Sequence, residues 1–84
     1  MKKTVAPAAA KPPQPLEFRS LTPRERTVFL LAARGLSNSE IAAHEFVSES
    51  TVKSHISAVL GKLTLRDRVQ LVVYAHDNAL LAAS

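Results

Sequence analysis

The sequence predicts an all-α fold, and three observations carry the prediction. Four stretches open with helix-capping signatures, apolar residues recur at three- and four-residue spacings, and no stretch alternates apolar with polar residues long enough for a strand. The 84 residues allow one small domain. Residues 1–20 hold four of the five prolines and little periodic apolar content, so they read as a disordered Pro/Ala-rich linker, with residues 21–84 as the folded domain.

The first expected helix lies in TPRERTVFLLAARG, residues 22–35. Thr22 is placed to cap it, Pro23 takes the first helical position, Glu25 closes a T-x-x-E capping box and Gly35 supplies a left-handed stop. A second box, Ser37 to Glu40, opens a short helix through about Glu45, with Ile41, Ala42 and Phe46 spaced along one inward face. Ser48 caps the third helix, about 49–63, after a connection of two or three residues. Asp67 with Gln70 caps the fourth, which is expected to run to about Leu81. Two short helices joined so tightly and braced on both sides suit a helix-turn-helix; helix count alone fits a plain helical bundle equally well.

The third helix distinguishes its faces. Val52, Ile56, Val59, Leu60 and Leu63 fall within one core-facing stripe. Opposite lie Ser50, Ser54, Ser57, Ala58 and Gly61, flanked by Lys53 on one edge and by Thr51, His55 and Lys62 on the other. A solvated face would favour Glu, Lys and Gln. A face of small residues instead lets a helix about 10–12 Å across settle into a DNA major groove about 12 Å wide. Ser48 and Ser50 sit at the amide-rich, positive end of the helix dipole. Packing of the small residues against another helix is the competing explanation.

Charge does not decide the matter. Of the net +4, residues 1–20 contribute +3 through Lys2, Lys3, Lys11 and Arg19 against Glu17, and the domain itself carries only +1. DNA binding must therefore rest on where the domain's cations lie. Other function classes are disfavoured. A domain this small has little room for an enclosed active site, and His44, His55 and His76 have neither cysteine partners nor metal-ligand spacing, so no enzyme, metal or cofactor is expected. The absence of cysteine fits a reducing cytoplasm. No run approaches a membrane span, and the tract after Lys2 and Lys3 is too short and proline-broken for a signal peptide.

Residues 21–75 resemble the DNA-binding domain of the LuxR family, GerE or NarL type, found at the C-terminus of bacterial response regulators and quorum-sensing regulators. LTPRER, GLSNSEIA, the S-x-x-TVK-x-H turn and helix, and RDRVQ carry the resemblance in order. It implies a four-helix LuxR-type helix-turn-helix bundle and a sequence-specific transcriptional regulator binding double-stranded DNA. Position by position, it implies that Lys53, Ser54 and Ser57 face bases or phosphates and that Thr51, His55 and Lys62 lie near the backbone. Many relatives have longer residues at Ser54 and Ser57, a basic residue or alanine at Gly61, and glycine at Thr64. The Pro/Ala-rich tail is similar to linkers that follow a receiver domain, so a receiver and RNA polymerase join the partners to consider.

The fourth helix is expected to face the core through Val69, Val73, His76 and Leu80. Leu71, Val72, Ala75 and Ala79 then form a second, surplus apolar stripe, which reads as a homodimer interface used on DNA. The resemblance agrees, since such domains commonly pair through this helix. The alternative is a protein-interaction module that uses the same helix for another partner.

Overall fold

The computed structural model describes residues 15–81. Five helices follow in order: α1 (Leu16–Arg19), α2 (Pro23–Ala33), α3 (Asn38–Glu45), α4 (Glu49–Leu63) and α5 (Arg68–Asp77). No strand occurs among the described residues. All four expected caps form. Thr22 Oγ1 accepts the Glu25 N–H at 3.1 Å while Glu25 Oε1 accepts the Thr22 N–H at 2.9 Å. Ser37 and Glu40 repeat this exchange at 3.1 and 2.8 Å. Ser48 Oγ accepts the Thr51 N–H at 3.1 Å and Asp67 Oδ1 the Gln70 N–H at 3.0 Å. Each bond satisfies an amide that the first turn of a helix would otherwise leave without a partner.

α2 is the hub. It packs against α3, α4 and α5, and α4 packs in turn against α1 and α3. Val28, Phe29 and Ala32 of α2, Ile41 of α3, Val52, Ile56, Val59 and Leu63 of α4, and Leu71 and Ala75 of α5 form the buried core. Every α4 residue in that set belongs to the expected inward stripe, with Leu60 half-buried beside it.

The structure moves the expected domain boundary. Residues 15–20 join the fold, because Phe18 is fully buried and meets Phe29 edge-on with ring centroids 5.1 Å apart. The Arg26 guanidinium lies 5.3 Å from the centre of the Phe18 ring. Phe29 meets Tyr74 edge-on at 6.1 Å, and the Tyr74 hydroxyl donates to Glu17 Oε2 at 3.1 Å, so α1, α2 and α5 are joined in a ring of contacts. Burial first, and then the Glu17 carboxylate, push the Tyr74 hydroxyl up to about 12. A four-residue helix shows no period in sequence, and Pro15 before it makes no side-chain cap, so nothing local announced α1. The rest of the expected linker, residues 1–14, lies outside the described residues.

α5 is shorter than expected and rotated. Leu71 and Ala75, expected on an open surface, are fully buried, and Val72 and Ala79 are half-buried. Val69 and Val73, expected in the core, are 71% and 51% exposed, and His76 is exposed too. Arg68 accounts for the rotation. Its guanidinium donates to Asn38 Oδ1 at 2.6 Å and to the Leu36 carbonyl, and Leu71 and Ala75 follow it at helical spacing along the same face. Tyr74 completes that face against Phe29. Phe46 is likewise displaced from its expected inward position. It is 94% exposed because the chain leaves α3 there in a left-handed turn, φ 58°.

Phe18→Ala should lower stability by about 3–5 kcal/mol, the usual cost of emptying a buried phenylalanine site. Thermal or denaturant unfolding monitored by circular dichroism checks this, and an unchanged midpoint would mean that α1 does not belong to the folded unit.

Candidate nucleic-acid interface

α4 is held by its buried side and presents the other. Ser50, Lys53, Ser54, Ser57 and Gly61 are exposed, and Thr51, His55 and Ala58 are half-buried along the margins. The expected small-residue face therefore exists as a surface, not as a contact with another helix. Gly61 sharpens the point. A methyl group built there would meet nothing within 4 Å, so packing does not require glycine, although glycine in a helix interior costs about 1 kcal/mol relative to alanine.

The hydroxyls at the start of α4 are partly committed. Ser48 Oγ donates to Thr51 Oγ1 at 2.9 Å and lies 3.0 Å from Ser50 Oγ, besides capping the helix. The side chains of Ser54 and Ser57, one turn on, make no hydrogen bond among the described residues. Nor does Lys53, which stands between them and the N-terminus with its ammonium unpaired.

Lys62, expected near the DNA backbone, has partners within the chain. Its ammonium donates to Glu25 Oε1 at 2.8 Å and reaches the Ser20 carbonyl at 3.4 Å. It ties the C-terminal end of α4 to the start of α2. Glu25 is buried, and the Lys62 hydrogen bond, followed by that from the Thr22 N–H, holds its carboxyl below the ordinary value of 4.5 against the opposing effect of burial. Lys53 is thus the one unpaired lysine on α4 among the described residues.

A second clamp, with no local signature in the sequence, lies at the other end of the helix. Arg24 Nη1 reaches Glu45 Oε1 at 3.2 Å and the Glu45 carbonyl at 3.3 Å, and His44 Nδ1 lies 2.7 Å from Glu45 Oε2. Arg24 and Glu45 are 21 residues apart, so no local pattern could pair them. Together these contacts fix the turn from α3 into α4. Among the described residues, no three His, Cys, Asp or Glu side chains converge where a metal ion could bind, and no helix is long and apolar enough to cross a membrane.

Comparison with known proteins places this geometry in context. The GerE profile, described as bacterial regulatory proteins of the luxR family, matches residues 19–75. Curated relatives include the response regulator protein VraR of Staphylococcus aureus strain Mu3 and its counterparts in Staphylococcus saprophyticus and Staphylococcus epidermidis. Each is 44% identical over 64 residues, covering 76% of this chain and 31% of the relative. The chain thus spans about a third of the length of those relatives.

The depressed Glu25 carboxyl sets a pH dependence. Its stabilising contribution is present above the unfolded value of 4.5 and is lost as the pH falls through the lower folded value. Denaturant melts across that acid range should show stability dropping in the parent and a shallower drop in Glu25→Gln; equal slopes would remove Glu25 as the source.

Proposed function

The chain belongs to the luxR family of bacterial regulatory proteins, and from that premise we propose that it is the sequence-specific DNA-binding domain of a cytoplasmic transcriptional regulator. α4 enters the major groove and two copies pair on DNA through α5. The observation that carries the reading is the α4 surface: an anchored helix whose open face presents Ser50, Ser54, Ser57 and Gly61, with the unpaired Lys53 along one edge. Small side chains permit close approach to base edges, and one lysine ammonium supplies donors that match guanine O6 and N7.

The rotation of α5 supports pairing through its outer side. Val69 and Val73 lie on the side facing away from Leu71 and Ala75, beside a shallow groove lined by Leu65, Gln70, Tyr74 and Asp77. Two exposed valines make a small apolar patch, which suits association that DNA completes and not a stable free dimer. A two-fold pair would set two α4 helices in successive major grooves. The response-regulator relatives support a receiver domain as a further partner, with RNA polymerase downstream. If α5 served another protein instead, binding to duplex DNA would be absent, or would respond to salt far less steeply than phosphate neutralisation requires.

Lys53→Ala should cost about 1–3 kcal/mol of DNA affinity, with a loss that varies among operator sequences. Shift assays across a salt series on a site selected from random duplexes measure it. A uniform loss with a shallower salt slope would reassign Lys53 to phosphate, and unchanged affinity would remove α4 from the groove. Separately, Val69→Glu with Val73→Glu should leave the melting temperature and half-site binding intact while abolishing cooperative occupancy of a two-fold site. Cooperativity equal to the parent's would exclude this face of α5 as the pairing surface.

A further inference from the structure

Phe46 is unfavourable twice over. At 94% exposure it is the most solvent-open large apolar residue among the described residues, and its φ of 58° crowds its Cβ against the backbone. Ending α3 does not need the ring. The hydrogen bond that closes the turn, from the Val47 N–H to the Ala42 carbonyl at 3.0 Å, is made by backbone alone, and Gly35 performs the same stop after α2. Glycine would be the cheaper residue at 46. An outlier of this kind in a turn beside a candidate site points to a contact made outside the chain.

We propose that Phe46 is a DNA-contact residue whose ring lies against the deoxyribose carbons of the strand at the rim of the groove that α4 enters. The inference rests on the reading of α4 as the groove helix. Three features favour DNA as the occupant. The position is continuous with the presented face: Ser48, two residues on, caps α4, and Ser50, Lys53 and Ser54 follow. The turn is held on both sides, by Arg24 on the Glu45 carboxylate and carbonyl and by Val47 packed against the core, so placing the ring against a partner orders little that is loose. The carboxylate adjoining it, Glu45, is paired with Arg24 and contacted by His44, which reduces its repulsion of a polyanion. A phenyl ring has no donor or acceptor for a base edge, whereas every nucleotide offers apolar sugar carbons. The contact therefore adds affinity without sequence preference.

The test pairs melting with shift assays on Phe46→Gly and Phe46→Leu, using specific and unrelated duplexes over a salt series. Phe46→Gly should melt about 3–6 °C higher, since the left-handed strain is gone. It should nevertheless bind about fivefold to tenfold more weakly, as expected for roughly 50 Å² of apolar surface no longer withdrawn from water. That loss should be equal on both duplexes and leave the salt slope unchanged, because no charge is removed. Phe46→Leu should keep most of the affinity. If Phe46→Gly melts higher but binds like the parent, the ring does not touch DNA and the proposal is overturned, leaving a protein surface as its partner. A loss confined to the specific duplex would overturn the sugar assignment. Failure of the groove reading looks different: the parent shows no salt-dependent duplex binding, or Lys53→Ala binds as tightly as the parent.

Discussion

Four of the five helices depend on one type of backbone hydrogen bond, which stops each of these four and turns the chain inward. After α2, α3, α4 and α5 one residue adopts positive φ: Gly35 at 98°, Phe46 at 58°, Thr64 at 57° and Ala79 at 53°. The next residue, Leu36, Val47, Leu65 or Leu80, donates its N–H five residues back, to Leu31, Ala42, Leu60 or Ala75, at 2.9–3.2 Å. All four donors are apolar and pack against the core. The hydrogen bond satisfies a carbonyl that the helix end leaves open, and the side chain that follows buries apolar surface, so ending the helix and closing the core are one event. With connections this short, the angle between α3 and α4 follows from the turn at Phe46–Ser48, and so does the direction in which α4 presents its serine face.

The starts of the four expected helices and the ends of α2, α3 and α4 were legible in the sequence, whereas the end of α5 and most of the left-handed stops that make the ends were not, for a physical reason. A cap is a contact across three residues between a short polar side chain and an amide, so Thr22, Ser37, Ser48 and Asp67 announce themselves. A left-handed stop announces itself only when glycine fills it, as at Gly35. Phe46, Thr64 and Ala79 disfavour that conformation; the signal that would have found them is the apolar residue behind each one. The faces of α4 were legible because a single stripe is apolar. α5 has apolar residues on both sides, and the choice between them is made by Arg68 on Asn38 and Leu36, at separations of 30 and 32 residues, beyond the reach of any periodicity. α1 is invisible for a related reason, since a single turn is held by the tertiary contacts of Phe18 and Glu17 and not by its own composition.

The Glu25 carboxylate shows how the site and the fold share parts. The same Oε1 closes the α2 capping box and accepts the Lys62 ammonium, which also reaches the carbonyl of Ser20 after α1. With Lys62 over a third exposed, solvent weakens the attraction, and the pair contributes more to orientation than to stability. Orientation is what the presented face requires. Arg24 holds the α3 turn at the N-terminal end of α4 and Lys62 holds the C-terminal end, so both clamps reach α4 from the first turn of α2. The exposed serines and Lys53 are thereby placed by α2, a helix that contributes nothing to the surface itself.

α4 is also bounded on both sides by strain. Phe46 precedes it and Thr64 follows it, each left-handed and neither a glycine, at about 1–2 kcal/mol apiece for the crowded Cβ. A β-branched threonine is among the worst residues for that conformation. Local preference would therefore extend α3 and α4 beyond their observed ends, and something stronger stops them. Val47 and Leu65 are that force: continuing either helix would carry them out of the core, at a loss of roughly 1.5–3 kcal/mol for each side chain returned to water. The two terms are of similar size, with burial ahead. The 15 residues of α4 thus run from a local cap at Ser48 to an end that the burial of Leu65 sets. For α4 as the proposed groove helix this matters, because the cap at Ser48 and the partly buried Leu65 define where its presented face begins and ends.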